Sequence, residues 1–129
     1  MDPYTDAVRE FHVKHGAHIA RRVGLPPPDV AALAARLIRE EAAETVEAMA
    51  AGDLVLVADG LADLEYVLRG AVLRYGLPFR EVFREVHRSN MTKDAARTPQ
   101  GAKVVKGPSF VPPDLSWLAD LAKEPGTFR

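Results

Sequence analysis

Apolar positions recur with helical spacing in four segments of the chain, and prolines and glycines separate these segments. The third segment is apolar on nearly all sides, which is typical of a helix enclosed by its neighbours. Proline cannot continue a helix and glycine favours its end, so we place the helix boundaries at these residues. The four predicted helices span about residues 3–23, 29–52, 53–75 and 78–90.

Individual residues support these boundaries. Asp29 and Asp53 precede the second and third helices as capping residues. We expect Gly24 and the triple proline at 26–28 to end the first helix, and Gly76 to end the third.

Beyond residue 90 the periodic pattern gives way to turn-forming residues. We expect an ordered loop or a short hairpin around Gly101, followed by a short last helix that Asp114 caps. Four principal helices and no convincing strand predict an all-α fold. We expect a four-helix bundle with an ordered C-terminal loop and a short final helix, forming a single domain over residues 1–129.

Composition and charge narrow the function classes. The chain is 47% hydrophobic and 27% charged, and its net charge of -1 gives no reason to expect nucleic acid or an anionic membrane as a partner. There are no cysteines, which excludes disulfides and thiolate zinc sites. The acidic, polar start lacks an apolar signal segment, so we expect a cytoplasmic protein.

Carboxylates interrupt the apolar stripes of the second and third helices. Glu41 and Glu44 replace leucines on the stripe of the second helix, and Asp59 and Asp63 share a face of the third. Buried carboxylates require a cation, a proton or a metal, and oxygen ligands favour Mg²⁺ or Mn²⁺. The alternatives are a solvated acidic face on the second helix and a hydrogen-bonded structural pair on the third.

Two further groups of residues are candidates for contact with a ligand. His12, beside Phe11, is expected either to line a pocket for a planar ring or to serve as an ordinary packing residue. The other group lies in a segment that can fold back over the end of the bundle, where its ammonium groups can neutralise phosphate opposite a divalent ion. It comprises Asn90, Lys93, Lys103 and Lys106, and the alternative is that these are ordinary surface residues.

The ordered set of motifs resembles a known superfamily. EEAAE from Glu40 to Glu44, DGLADLEY from Asp59 to Tyr66, and the later SNMTK and KGPSFVPPDL are similar to signatures of the all-α nucleoside triphosphate pyrophosphohydrolases. The later motifs resemble the MazG-like, phosphoribosyl-ATP-pyrophosphohydrolase-like branch, and the similarity extends over nearly the whole chain. Where a strict ExxD motif requires an acid, this chain has Gly60.

This resemblance implies hydrolysis of an NTP or dNTP between its α and β phosphates by direct attack of water. It implies Mg²⁺ as cofactor, with Mn²⁺ as a possible substitute, and a homodimer or a homotetramer built as a dimer of dimers. The residue roles it implies are metal binding by Glu41, Glu44, Asp59 and Asp63, activation of water by Glu40, and substrate contact by Asn90, Lys93, Lys103, Lys106 and Tyr66. His12 is added to the substrate contacts as the candidate for stacking on the base.

Two alternatives to this activity stay open. One is phosphoribosyl-ATP pyrophosphohydrolase activity in histidine biosynthesis. The other is a non-catalytic helical module that binds a metal or a nucleotide without turnover.

Overall fold

A computed structural model of the chain describes residues 2–123. Within these residues the chain forms five α-helices and no strand. The helices are α1 (Pro3–His15), α2 (Pro28–Ala51), α3 (Leu54–Tyr75), α4 (Phe79–Asn90) and α5 (Trp117–Lys123). The predicted all-α class is therefore confirmed. None of the helices in this part of the chain is long and apolar enough to cross a membrane.

Helices α2 and α3 form an antiparallel hairpin that is the most extensively packed part of the fold. Gly52 ends α2 in the left-handed conformation with a φ of 69°, and its backbone N–H bonds back to the last turn of the helix. Asp53 then caps α3 by accepting a hydrogen bond from the Leu56 N–H at 3.1 Å. The predicted turn between the two acidic helices is therefore present.

Helix α1 packs on α3 and is shorter than predicted. It ends at His15 because Gly16 adopts the left-handed conformation with a φ of 66°, so the expected extension to Val23 is wrong. The connection that follows, residues 17–27, is irregular but tied to the end of α3. The Ala20 N–H donates to the Leu73 carbonyl at 2.9 Å, and a second backbone bond at 3.1 Å follows four residues later.

The start of α2 also differs from the prediction. Pro27 is the capping residue and makes no side-chain capping bond, while Asp29 lies inside the first helical turn. Proline at the first positions fixes the backbone angle that a helix needs, so the helix begins without an aspartate cap.

The C-terminal segment folds back along α4. The Ser89 hydroxyl donates to the Val111 carbonyl at 2.8 Å, and the Asp114 N–H donates to a Glu85 carboxylate oxygen at 2.7 Å. Between these contacts the chain forms a 3₁₀ turn at Ala95–Arg97 and the expected loop around Gly101. Asp114 accepts hydrogen bonds from Ser116, immediately before α5.

The buried core is small. Its hydrophobic members among the described residues are Val8, Ala34, Ala48, Val72, Leu73 and Val82. The first half of α3 is open, since Leu54 is 80% and Val55 77% exposed. The expectation that neighbours enclose α3 is therefore wrong for this half of the helix in the single chain.

Candidate active site

Glu41 is the centre of the acidic cluster on the α2–α3 hairpin. Its Oε2 atom is buried and has no hydrogen-bond partner among the described residues. Burial raises the pKa of the Glu41 carboxyl, and the negative charges of Glu44 and Asp63, followed by those of Glu40 and Asp59, raise it further. The other four predicted carboxylates therefore lie close enough to act on Glu41.

The cluster is more open than the sequence suggested. Glu40, Glu44 and Asp59 are exposed, and only Glu41 and Asp63 are partly buried. Within residues 2–123 no three histidine, aspartate or glutamate side chains are arranged to hold a metal ion as they stand. Like charges repel, and three of the five side chains extend into water, where nothing holds their oxygens together. The expectation that these carboxylates are buried is therefore wrong for Glu44 and Asp59.

Gly60 sets the separation of the two helices beside the acids. A Cβ atom built at this position would lie 2.7 Å from the Thr45 hydroxyl oxygen and 3.1 Å from the Thr45 Cα. Thr45 is itself buried, and its hydroxyl donates to the Glu41 carbonyl at 2.6 Å. The position where a strict motif has an acid is thus a close approach of α3 to α2, with room for hydrogen only. Sequence analysis noted Gly60 as a departure but missed this role, although glycine inside a helix is a signal of close packing.

The cluster fits a hard divalent cation. Carboxylate oxygens are its only donors, and the buried Glu41 oxygen without a partner is the kind of atom that a cation satisfies. Glu41 and Asp63 approach from different helices, with Glu44 and Asp59 on the exposed side. These four residues are the ones that would hold the ion.

Glu40 lies on the exposed flank of the cluster. Its carboxylate is 3.8 Å from the Arg36 Nε, a loose contact within one turn of α2, and both side chains are more than half exposed. A carboxylate in this position is reachable by water, as a general base must be.

His12 is a packing residue. It is only 3% exposed, and its Nδ1 bonds to the His18 carbonyl at 3.0 Å. Since a carbonyl only accepts, Nδ1 carries the proton, and burial lowers the pKa of the ring. This burial argues against the predicted contact of His12 with substrate.

Aromatic rings lie exposed beside the acids instead. Tyr66, one turn beyond Asp63 on α3, meets Phe11 edge to face at 5.5 Å between ring centroids. Phe11 also contacts His15 at 4.4 Å. Tyr66 is 40% and Phe11 45% exposed, so this pair offers the surface for a planar ring that sequence analysis had sought at His12.

The predicted phosphate-side residues lie at the end of α4, for Asn90, and in the C-terminal segment, for the three lysines. The Lys93 N–H bonds to the Asn90 carbonyl at 3.1 Å, and the Lys106 ammonium lies 5.0 Å from the centre of the Phe110 ring. Lys103 is exposed. The main influences on the Glu41 pKa are burial and carboxylates, and these cations are not among them.

An all-helical fold whose central hairpin gathers five carboxylates defines a class of helical proteins suited to metal-assisted chemistry on phosphates. The family model for phosphoribosyl-ATP pyrophosphohydrolase matches residues 8–90, more than half of the chain. The chain therefore belongs to the phosphoribosyl-ATP pyrophosphohydrolase family, within the MazG-like all-α NTP pyrophosphohydrolase superfamily. No curated protein matches it.

Membership confirms the resemblance noted in the sequence and identifies the protein as an enzyme. Members of the family are pyrophosphohydrolases, which hydrolyse phosphoric anhydrides, and this chain acts on a nucleotide in that way. The family generally depends on a divalent metal ion, in agreement with the donor set on α2 and α3.

Proposed function

We propose that the protein is a Mg²⁺-dependent pyrophosphohydrolase that cleaves an NTP or dNTP between its α and β phosphates, giving a monophosphate and pyrophosphate. The observation that carries this proposal is the buried, unpartnered Oε2 of Glu41 surrounded by four more carboxylates. Carboxylates so close together repel triphosphate unless a cation intervenes, so the site requires the metal to bind its substrate.

Each residue of the site has a role in this reaction. Glu41, Glu44, Asp59 and Asp63 would hold Mg²⁺, which supplies positive charge for the phosphate oxygens. Glu40 orients the attacking water and accepts its proton. Water attacks directly, because the sequence has no cysteine and no serine in an evident nucleophile motif. The exposed edge of Tyr66 contacts the base.

A second candidate substrate fits the same site. The matching family model is that of phosphoribosyl-ATP pyrophosphohydrolase, and phosphoribosyl-ATP contains the same triphosphate. The hydrolysed bond and the products at the phosphate end are those of an NTP. The two substrates differ only at the end remote from the acids.

The active enzyme is, in this proposal, a homodimer or a dimer of dimers in the cytoplasm. Large apolar residues near the hairpin turn are exposed in the single chain, and a second copy would cover them. The same association would bring Asn90 and Lys93 of one chain, with Lys103 and Lys106, to the acids of another. Triphosphate would then lie between the metal and the ammonium groups.

The substitution Glu41→Gln tests the metal role. We expect pyrophosphate release in Mg²⁺ to fall at least about 100-fold, because the amide keeps the shape but loses the charge that binds the cation. The matched control is Glu47→Gln, an exposed glutamate of α2 with no assigned role. Unchanged activity in Glu41→Gln protein would refute the ligand assignment.

A panel of substrates decides between the two candidates. Wild-type enzyme with Mg²⁺ is offered NTPs, dNTPs and phosphoribosyl-ATP, and the products are identified by chromatography. Monophosphate with pyrophosphate supports cleavage between the α and β phosphates, whereas diphosphate with phosphate contradicts it. The substrate with the highest kcat/KM identifies the physiological class.

A further inference from the structure

A buried arginine lies at the far end of α3 from the acids. Arg74 is only 6% exposed, and its Nε atom has no hydrogen-bond partner among the described residues. No ion pair joins it to a carboxylate within residues 2–123. A buried N–H without a partner is costly, so a protein keeps a guanidinium in this state where an anion completes its hydrogen bonds.

Arg74 is one of the residues that line a cavity of about 580 Å³. The α1–α2 connection, residues 17–27, forms most of its wall and brings His18, Arg21 and Arg22 to the same space as Arg74. None of the described residues that line it is acidic. Its size is that of a small-molecule site, and its ionisable lining is entirely cationic or histidine.

The walls of the cavity are fixed by backbone contacts. The Ala20 N–H bonds to the Leu73 carbonyl, and the Gly24 N–H bonds to the Tyr75 carbonyl. These bonds hold the backbone of Arg21 and Arg22 against the end of α3. Gly70 makes room for the Arg74 side chain, since a Cβ built there would lie 2.9 Å from its Nη1. The backbone of the α1–α2 connection and the buried Arg74 side chain are therefore placed by the fold.

We propose that this cavity binds the phosphate group of a small anion, with Arg74 as its buried contact and Arg21 and Arg22 at its rim. Guanidinium groups match the geometry of phosphate oxygens with paired hydrogen bonds, which makes arginine the preferred residue for such sites. His12 packs beside Arg74 with its Nδ1 bonded to the His18 carbonyl at 3.0 Å, and it brings no acidic group to this end of α3.

The cavity is separate from the carboxylate cluster. Arg74 lies eleven residues beyond Asp63 on the same helix, or about 16 Å along its axis. The inference therefore does not rest on the metal chemistry of the proposed function. The phosphate has two possible sources, a free anion such as pyrophosphate or the second phosphate that phosphoribosyl-ATP carries on its phosphoribosyl group.

Binding of inorganic pyrophosphate to the full chain in EDTA, measured by calorimetry at constant ionic strength, tests the site. Without metal the carboxylates repel the anion, so only a cationic site retains it. We expect one site per chain in wild type and in Glu41→Gln protein, and at least about tenfold weaker binding in Arg74→Met and Arg22→Gln. Arg84→Gln, an exposed arginine of α4 outside the cavity, is the matched control and should bind as wild type does.

The outcomes separate this proposal from the proposed function. No binding to wild type, or equal binding by Arg74→Met and Arg22→Gln, would overturn it, whatever the activity. Arg22 lies at the exposed rim, so Arg22→Gln remains informative if Arg74→Met does not fold. Failure of Mg²⁺-dependent hydrolysis with intact pyrophosphate binding would refute only the proposed function.

Steady-state kinetics identify the source of the phosphate. A KM for phosphoribosyl-ATP that rises at least about tenfold in Arg74→Met, with kcat unchanged, assigns the cavity to the remote phosphate of the substrate. An unchanged KM, with turnover that responds to added inorganic phosphate in wild type but not in Arg74→Met, assigns it to a separate anion. Either result supports the phosphate site.

Discussion

Gly60 controls how closely the two acidic helices approach each other. Thr45 fills the space that a side chain at position 60 would occupy, and its hydroxyl is bonded one turn back to the Glu41 carbonyl. Asp59 and Asp63 flank this contact on α3, so the glycine also determines how the aspartates face Glu41. A residue with no side chain thereby positions the carboxylates of its neighbours.

The substitution Gly60→Ala should lower the free energy of unfolding by about 1–3 kcal/mol, because overpacking outweighs the gain in helix propensity of about 1 kcal/mol. Urea denaturation measures the difference. Gly24→Ala is the matched control, since a Cβ at Gly24 would meet nothing within 4 Å. Because Thr45 is the clashing residue, Thr45→Ala combined with Gly60→Ala should cost less than the sum of the single changes. A Gly60→Ala protein as stable as wild type would contradict the close contact.

At the scale of elements, Glu85 joins α4 to the C-terminal segment. Its carboxylate accepts hydrogen bonds from Arg88 at 2.6 and 2.9 Å and from the Asp114 N–H at 2.7 Å. The hydrogen bonds from Arg88 have the largest effect on the Glu85 pKa, and the bond from the Asp114 N–H has the second largest. Together they lower this pKa from 4.5 to about 2. The segment that carries the candidate lysines is thus attached to α4 by an ionised carboxylate.

This attachment should make stability depend on pH. Because the folded-state pKa is depressed, the contribution of Glu85 is present above about pH 4.5 and is lost as the pH falls towards about 2. Unfolding of wild type and Glu85→Gln, measured by urea denaturation between pH 7 and pH 2, should differ at neutral pH and converge in acid. Glu81→Gln, an exposed change on the same helix, serves as the control. A wild-type advantage that persists unchanged at pH 2 would contradict the depressed pKa.

At the scale of the whole molecule, features that depend on local sequence were predicted better than features that depend on tertiary contacts. The caps at Gly52, Asp53 and Gly76 were predicted because glycine and aspartate act within one turn of the chain. The grouping of acids around Glu41 followed from helical spacing and a short connection. The spacing could not show that Glu44 and Asp59 point into water, since exposure depends on what covers the hairpin.

The features that sequence analysis missed depend on distant packing. Arg74 sits in an apolar stretch like any arginine at a helix end, and only the folded α1–α2 connection buries it. Both Gly16 and Gly24 could end the first helix. The structure shows that Gly16 does so, because the residues that follow it bond to the end of α3 instead of continuing the helix.

The open half of the hairpin carries a prediction about assembly. Around the turn, five large apolar side chains are more than half exposed, namely Val46, Met49, Leu54, Val55 and Leu56. We explain a patch of this kind, near a site where the predicted lysines are not among the main influences on Glu41, by a second copy that covers the first and supplies those lysines. Sedimentation velocity should therefore show a dimer or tetramer for wild type.

A charge placed in this patch should separate the chains. In Val55→Glu protein we expect a monomer, because a glutamate without a partner cannot be buried in an apolar interface. If the partner supplies the lysines, pyrophosphate release falls with the loss of the dimer, whereas Glu41→Gln protein loses activity and remains assembled. Val13→Glu, the same change at a valine of α1 that is 71% exposed, should leave the oligomer intact. If Val55→Glu protein sediments as wild type does, the interface lies elsewhere. If a monomeric Val55→Glu protein keeps full activity, one chain holds the complete site.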